Sequence, residues 1–172
     1  MEYDAVVFDN DGVLVGRTDY DVLEAAAWDA FAELGIDDPK ASHVELVTVG
    51  ATPAQVQDVA FVYDLDPHEF WEVREDVMAK AQHDEVRAGR KSVYDDLDEL
   101  DELDLSKGIV SSNQQSLVDF VLDHHGVREH FEAAYGREPT IESLALRKPN
   151  PHYLHRAMDD IGAENALFVG DN

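Results

Sequence analysis

The chain contains no cysteine. That excludes disulfides, thiolate nucleophiles and cysteine-bound metal. It has no apolar run long enough to span a bilayer, and no basic flank followed by a long apolar stretch at its start, so no signal peptide is read there. Positive charge is scarce: 13 Lys and Arg stand against 38 Asp and Glu, for a formal net charge of −25. Such a charge opposes binding to nucleic acid and to anionic membranes. The acids are spread along the chain, so they do not form one solvated tail. An even acidic excess over an ordinary core, with hydrophobic content at 44%, suits a cytoplasm rich in salt, where screening relieves self-repulsion. A halophilic, cytoplasmic protein is the expectation.

At 172 residues the chain can bury one full core with a small appended unit. Residues 4–9 are short, apolar and β-branched, and read as a buried strand ending in Asp9. Residues 20–34 place Tyr20, Leu23, Ala27, Ala30, Phe31 and Leu34 at helical spacing before Gly35. Thr52-Pro53 and Asp66-Pro67 are cap-plus-proline starts for two further helices, to about Tyr63 and about Gln82. Trp28, Phe31, Phe70 and Trp71 fall on apolar faces and are assigned to packing.

Strands and helices then alternate. A helix over 92–103 turns Leu97, Leu100 and Leu103 inward, and Gly108–Ser111 is a strand. Gln114–His125 is a helix, with His124 and His125 complementing its C-terminal dipole. A strand over Phe131–Tyr135, a helix over Pro149–Ile161 and a strand over Ala166–Val169 follow. This order predicts an α/β fold with a Rossmann-like parallel sheet core. Residues 1–15 and 86–172 form that core, and 16–85 form an inserted α-helical cap too long to be a loop.

In open α/β sheets, ligands gather where strands end at their carboxyl side. Three predicted strands end there in Asp9-Asn10-Asp11-Gly12, Ser111-Ser112-Asn113 and Gly170-Asp171, and Lys148 precedes the helix at Pro149. Each group alone is an ordinary strand-end turn, cap or surface charge. Together they fit phosphoryl transfer. Asp9 can attack phosphorus, Asp11 can move the proton, and Gly12 allows the tight turn. Ser111, with Ser112 as its rival, can hold a phosphoryl oxygen. Lys148 supplies positive charge, and Asp9 and Asp171 suit Mg²⁺. Arg17 either lines the cap hinge, meets an anionic substrate or lies on the surface.

These segments resemble the motifs of the haloacid dehalogenase superfamily, in the subgroup with a helical cap. Val6-Val7-Phe8-Asp9-Asn10-Asp11-Gly12-Val13-Leu14 is similar to its first motif, Ile109-Val110-Ser111 to its second, Arg147-Lys148-Pro149 to its lysine motif and Val169-Gly170-Asp171 to the start of its last. The resemblance implies Mg²⁺-dependent aspartyl-phosphate chemistry on a small phosphorylated metabolite, with phosphoglycolate or a sugar phosphate as analogies. By it, Asp9 is nucleophile and metal ligand, and Asp11 is acid/base and metal ligand through its carbonyl. Ser111 and Lys148 bind phosphate, and Asp171 binds metal. A β-phosphoglucomutase-like phosphomutase and a catalytically silent binding protein on the same scaffold are the alternatives. Family members continue beyond the last motif, so the C-terminal part of the core is expected to be missing here and the chain to be a shortened form of a longer protein. The acidic composition carries a direct test: thermal melts should give a Tm that rises from low to multimolar KCl, and a Tm that is equal or higher at low salt would refute the halophile reading.

Overall fold

The computed structural model describes residues 3–170. Four parallel strands form one sheet in the order β3-β2-β1-β4, with β1 Ala5–Phe8, β2 Ser106–Gln114, β3 Ala133–Arg137 and β4 Ala166–Val169. Four helices lie between β1 and β2: α1 Tyr20–Glu33, α2 Ala41–Thr48, α3 Pro53–Val62 and α4 Pro67–Arg87. Helix α5 (Gln115–His125) joins β2 to β3, and α6 (His152–Ile161) joins β3 to β4. The architecture is the expected α/β, Rossmann-like one.

The period of two in a strand divides β1 between two cores. Val6 and Phe8 join Ile109 and the α5 residues Leu117, Val118, Val121 and Leu122. Val7 turns the other way, to Val110, Ala133 and the α6 residues Tyr153 and Ala157. With α5 on one face and α6 on the other, β1 is buried throughout, which is why its sequence is continuously apolar. Each fully buried Val, Leu or Ile on these helices contributes about 1.5–3 kcal/mol relative to exposure. A third core joins α1 to α4 through Phe31, Val44, Val56, Phe70, Trp71 and Met78, and takes in Ile141 and Leu144 from the segment after β3.

The helix starts follow their sequence signals. Thr52 and Gln55 exchange side-chain and backbone bonds as a capping box, with Pro53 at the first helical position. Asp66 Oδ1 accepts from the amides of His68 and Glu69, at 2.9 and 3.0 Å. Among the described residues no helix is long and apolar enough to cross a membrane.

Several expectations are corrected. Residues 92–103 form only a 3₁₀ turn, Leu97–Glu102, in place of an α-helix. Six acids in eight positions crowd one another at i,i+3 and i,i+4 in a helix, and the three-residue repeat of Leu97 and Leu100 suits the tighter winding. Both are buried, but Leu103 is exposed. Trp28 is also exposed, unlike Phe31, Phe70 and Trp71. Helix α6 begins at His152 rather than Pro149, because Asn150 precedes Pro151 and a residue before proline avoids the helical region. Helix α2 lies in the stretch between Gly35 and Thr52.

The end of β3 is held tightly against the start of α5. A Cβ at Gly136 would sit 2.6 Å from the Gln115 amide nitrogen and 2.8 Å from the Gln114 carbonyl carbon. Backbone cannot retreat as a side chain can, so Gly136→Ala should destabilise the protein by about 1–3 kcal/mol, as over-packing does. Urea unfolding in high KCl measures this, and an unchanged midpoint would contradict the packing.

Candidate active site

The register of the sheet brings the site together. Phe8 pairs with Ile109 on one side and Val169 on the other, so β1 and β4 end level, while β2 runs on to Gln114 and carries Ser111 within the strand rather than at the expected end. The Asp9 amide closes the ladder by donating to the Val169 carbonyl at 2.8 Å. Beyond Asp9 the chain wraps over Asn10, whose carbonyl accepts from the amides of Val13, Leu14 and Val15. Gly12 makes this loop possible with a φ of 83°, in the left-handed region.

Asp9, Asp11, Ser111 and Lys148 line one cavity of about 1100 Å³ between the sheet and the helices α1, α2 and α4. Lys148 lies 2.6 Å from Asp9 Oδ2 and also donates to the Val110 carbonyl at 3.1 Å. Asp9 Oδ1 accepts from the Asn10 amide at 2.7 Å. Asp11 Oδ2 receives long contacts from Ser111 Oγ at 3.5 Å and Asn10 Nδ2 at 3.4 Å. Ser111 is buried, and its Oγ accepts from the Asn113 amide at 3.0 Å. Ser112 lines the same cavity but uses its carbonyl to hold Arg137 Nε. Arg17 lines the cavity as well. Asp171 lies outside the described residues.

Two groups escaped the sequence reading. Lys91 is fully buried and ion-pairs with Asp11 Oδ1. The available signal was its rarity, since it is one of five lysines, the same cue that drew attention to Lys148. The second group is a buried charge cluster. Glu75 of α4 pairs with Arg74 at 2.6 Å and with Arg137, from the end of β3, at 2.8 Å. Arg74 also donates to the Val47 and Thr48 carbonyls, at 2.9 and 2.6 Å. Gln114 Nε2 donates to the Glu75 carbonyl at 2.9 Å, and Arg147 donates to the Ala51 carbonyl at 2.6 Å. The cluster therefore fastens α2 and α4 to the ends of β2 and β3. Burial lowers the pKa of Arg74, Glu75 opposes the shift and Arg137 adds to it. Burial also lowers that of Arg147. Both start so high that they stay charged. No sequence period marks this cluster, because its members come from elements far apart in the chain.

The donor set near Asp9 and Asp11 is all oxygen, with no thiolate and no histidine in the cavity wall. That fits a hard cation that keeps several waters. Among the described residues no three His, Cys, Asp or Glu side chains converge as a metal cluster.

The family described as haloacid dehalogenase-like hydrolase matches residues 6–172. The pyrophosphatase PpaX of Oceanobacillus iheyensis is 33% identical over 93 residues, which span 53% of this chain and 42% of that protein. The match thus covers well under half of the curated relative. Among solved structures, CbbY from Rhodobacter sphaeroides in complex with phosphate superposes with a TM-score of 0.66 at 17% identity, covering 97% of this chain and 77% of that one. A predicted phosphoglycolate phosphatase from Haemophilus somnus 129PT gives 0.62 at 18% identity, covering 98% and 77%. At these identities the likeness is one of fold.

The buried cluster makes a prediction of its own. Removing one partner of a buried ion pair leaves the other charge uncompensated. Glu75→Gln should therefore lower stability by about 3–5 kcal/mol in denaturant unfolding. A loss below about 1 kcal/mol, typical of an exposed pair, would show that water reaches the cluster.

Proposed function

This chain belongs to the haloacid dehalogenase-like hydrolase family, and from that premise we propose that it is a Mg²⁺-dependent phosphatase of small phosphorylated metabolites that works through an aspartyl-phosphate on Asp9. The observation that carries this reading is the meeting of Asp9, Asp11, Ser111 and Lys148, from separate segments, in one cavity, with Lys148 2.6 Å from Asp9.

The chemistry follows from the groups. An Asp9 carboxylate oxygen attacks phosphorus, and the bond from phosphorus to the ester oxygen breaks. Asp11, protonated at that moment, gives its proton to the departing alkoxide. Asp11 then takes a proton from water, the resulting hydroxide attacks the phosphoryl group, and the Asp9 carboxylate leaves as inorganic phosphate forms. Lys148 balances charge on Asp9 and on the phosphoryl oxygens, and Ser111 Oγ hydrogen-bonds one of them. Asp9 and the Asp11 carbonyl, with Asp171, would hold Mg²⁺, which when bound offsets the negative charge of the phosphoryl group.

Residues 16–85 act in this proposal as a cap that covers the cavity and limits water, and residues 1–15 and 86–172 as the catalytic core. The wall of the cavity carries Arg17, Arg74, Arg137, Arg147 and Lys148, so it favours anionic substrates. A cavity of about 1100 Å³ accommodates a small metabolite.

A phosphate-release screen over phosphorylated metabolites, with Mg²⁺ and high KCl, tests this. The native chain should release phosphate, and Asp9→Asn should release none. Asp11→Asn should fall by about 100- to 10,000-fold, the usual worth of a general acid–base group. Acid-quenched intact mass should show one added phosphoryl group on the native chain. A folded native chain without turnover, or turnover unaffected by Asp9→Asn, would overturn the proposal.

A further inference from the structure

We infer that Lys91 is a positioning residue for Asp11: it anchors Oδ1 and so presents Oδ2 to the cavity as the oxygen that gives and takes the proton. This rests on the phosphatase reading, and names a residue that the motifs do not contain.

Lys91 has no exposed surface, although it is a lysine in a protein with acids to spare at its surface. Its Nζ ion-pairs with Asp11 Oδ1 and donates to the Gly16 carbonyl at 2.9 Å. A buried ammonium needs such compensation, because an isolated charge in the interior costs several kcal/mol. Its backbone is fixed on both sides: the Lys91 amide donates to the Glu85 carbonyl, and the Lys91 carbonyl contacts His125 Nε2 at 3.1 Å. Burial of the side chain and the bond to the Gly16 carbonyl hold the amine itself in place.

The two oxygens of Asp11 are thereby unequal. Oδ1 is in the grip of Lys91. Oδ2 has only the long contacts from Ser111 and Asn10. The Asp11 side chain keeps about a quarter of its surface exposed, while that of Lys91 keeps none. An acid–base group works only when its oxygen lies within hydrogen-bond reach of the proton's other site. Fixing the carboxylate rotation beforehand removes a motion that would otherwise have to be frozen in the transition state. Gly16 lies on the way from β1 to α1, and Lys91 on the way from α4 to β2, so the same amine also ties these two connections together.

The leaving group discriminates this role from structural support. An alkoxide needs a proton when it departs; 4-nitrophenolate does not. In single-turnover measurements of phosphoryl transfer to Asp9, before the water step, Lys91→Met should slow transfer from an alkyl phosphate by about 10- to 100-fold, part of the general-acid contribution, with KM changed less than about 3-fold and transfer from 4-nitrophenyl phosphate slowed less than about 3-fold. Adding Lys91→Met to Asp11→Asn should cost nothing further on the alkyl ester, since Lys91 would act only through Asp11. Equal losses on both esters in this transfer step, a rise in KM with the transfer rate kept, or additive losses in the double variant would each overturn the inference. So would a Lys91→Met protein that does not fold while Lys91→Met/Asp11→Asn folds and loses more on the alkyl ester than Asp11→Asn alone. A folded native chain that hydrolyses neither ester removes the phosphatase reading and the positioning role with it. An Asp9→Asn chain that is inactive beside a Lys91→Met chain with native kinetics removes the positioning role alone.

Discussion

Repulsion among carboxylates is the constraint that the rest of this structure answers. With a formal charge of −25, any site that must bring a carboxylate to an anionic phosphoryl group works against the field of its own protein. The fold responds by gathering six of its thirteen cations at the site. Arg17, Arg74, Arg137, Arg147 and Lys148 all line one cavity, and Lys91 is buried beside it. Asp9 and Asp11 are each held against a lysine. Each of the two acids therefore has its own cation.

The sheet makes that arrangement possible. Parallel pairing of β1 with β2 on one side and β4 on the other sets the ends of β1 and β4 beside the stretch of β2 that carries Ser111, so groups about a hundred residues apart share one opening. The helices after β2 and β3 pack on opposite faces and leave that opening clear. Beyond it the buried Glu75 cluster holds α2 and α4 against the ends of β2 and β3.

Much of this was legible in the sequence because it is local. The apolar run before Asp9, the cap-plus-proline starts at Thr52 and Asp66 and the stop at Gly126 each state their structure within a few residues. Asp9, Asp11, Ser111 and Lys148 could be gathered because strands of a parallel sheet deliver their ends to the same edge. What could not be read depends on distance along the chain. Lys91 meets Asp11, and Arg137 meets Glu75, only after the helices have docked. The failed helix at 92–103 is a different case: the leucine pattern was right for Leu97 and Leu100, but crowded acids made the α-helical winding unfavourable.

The crossing between the two halves of the molecule has a mechanical meaning. Where the chain leaves β1 and where it returns toward β2, Val15 bridges Val93, the Gly16 amide donates to the Ser92 carbonyl at 3.0 Å, and Lys91 reaches back to Gly16. Both strands of the connection are thus stitched at one place, and Asp11 is part of the stitch. The Glu75 cluster is a second clasp, which ties α4 to the end of β3 at the far wall of the cavity. A body held at two places does not swing, so the walls of the cavity keep their spacing and the Asp11 carboxylate keeps its place beside Asp9.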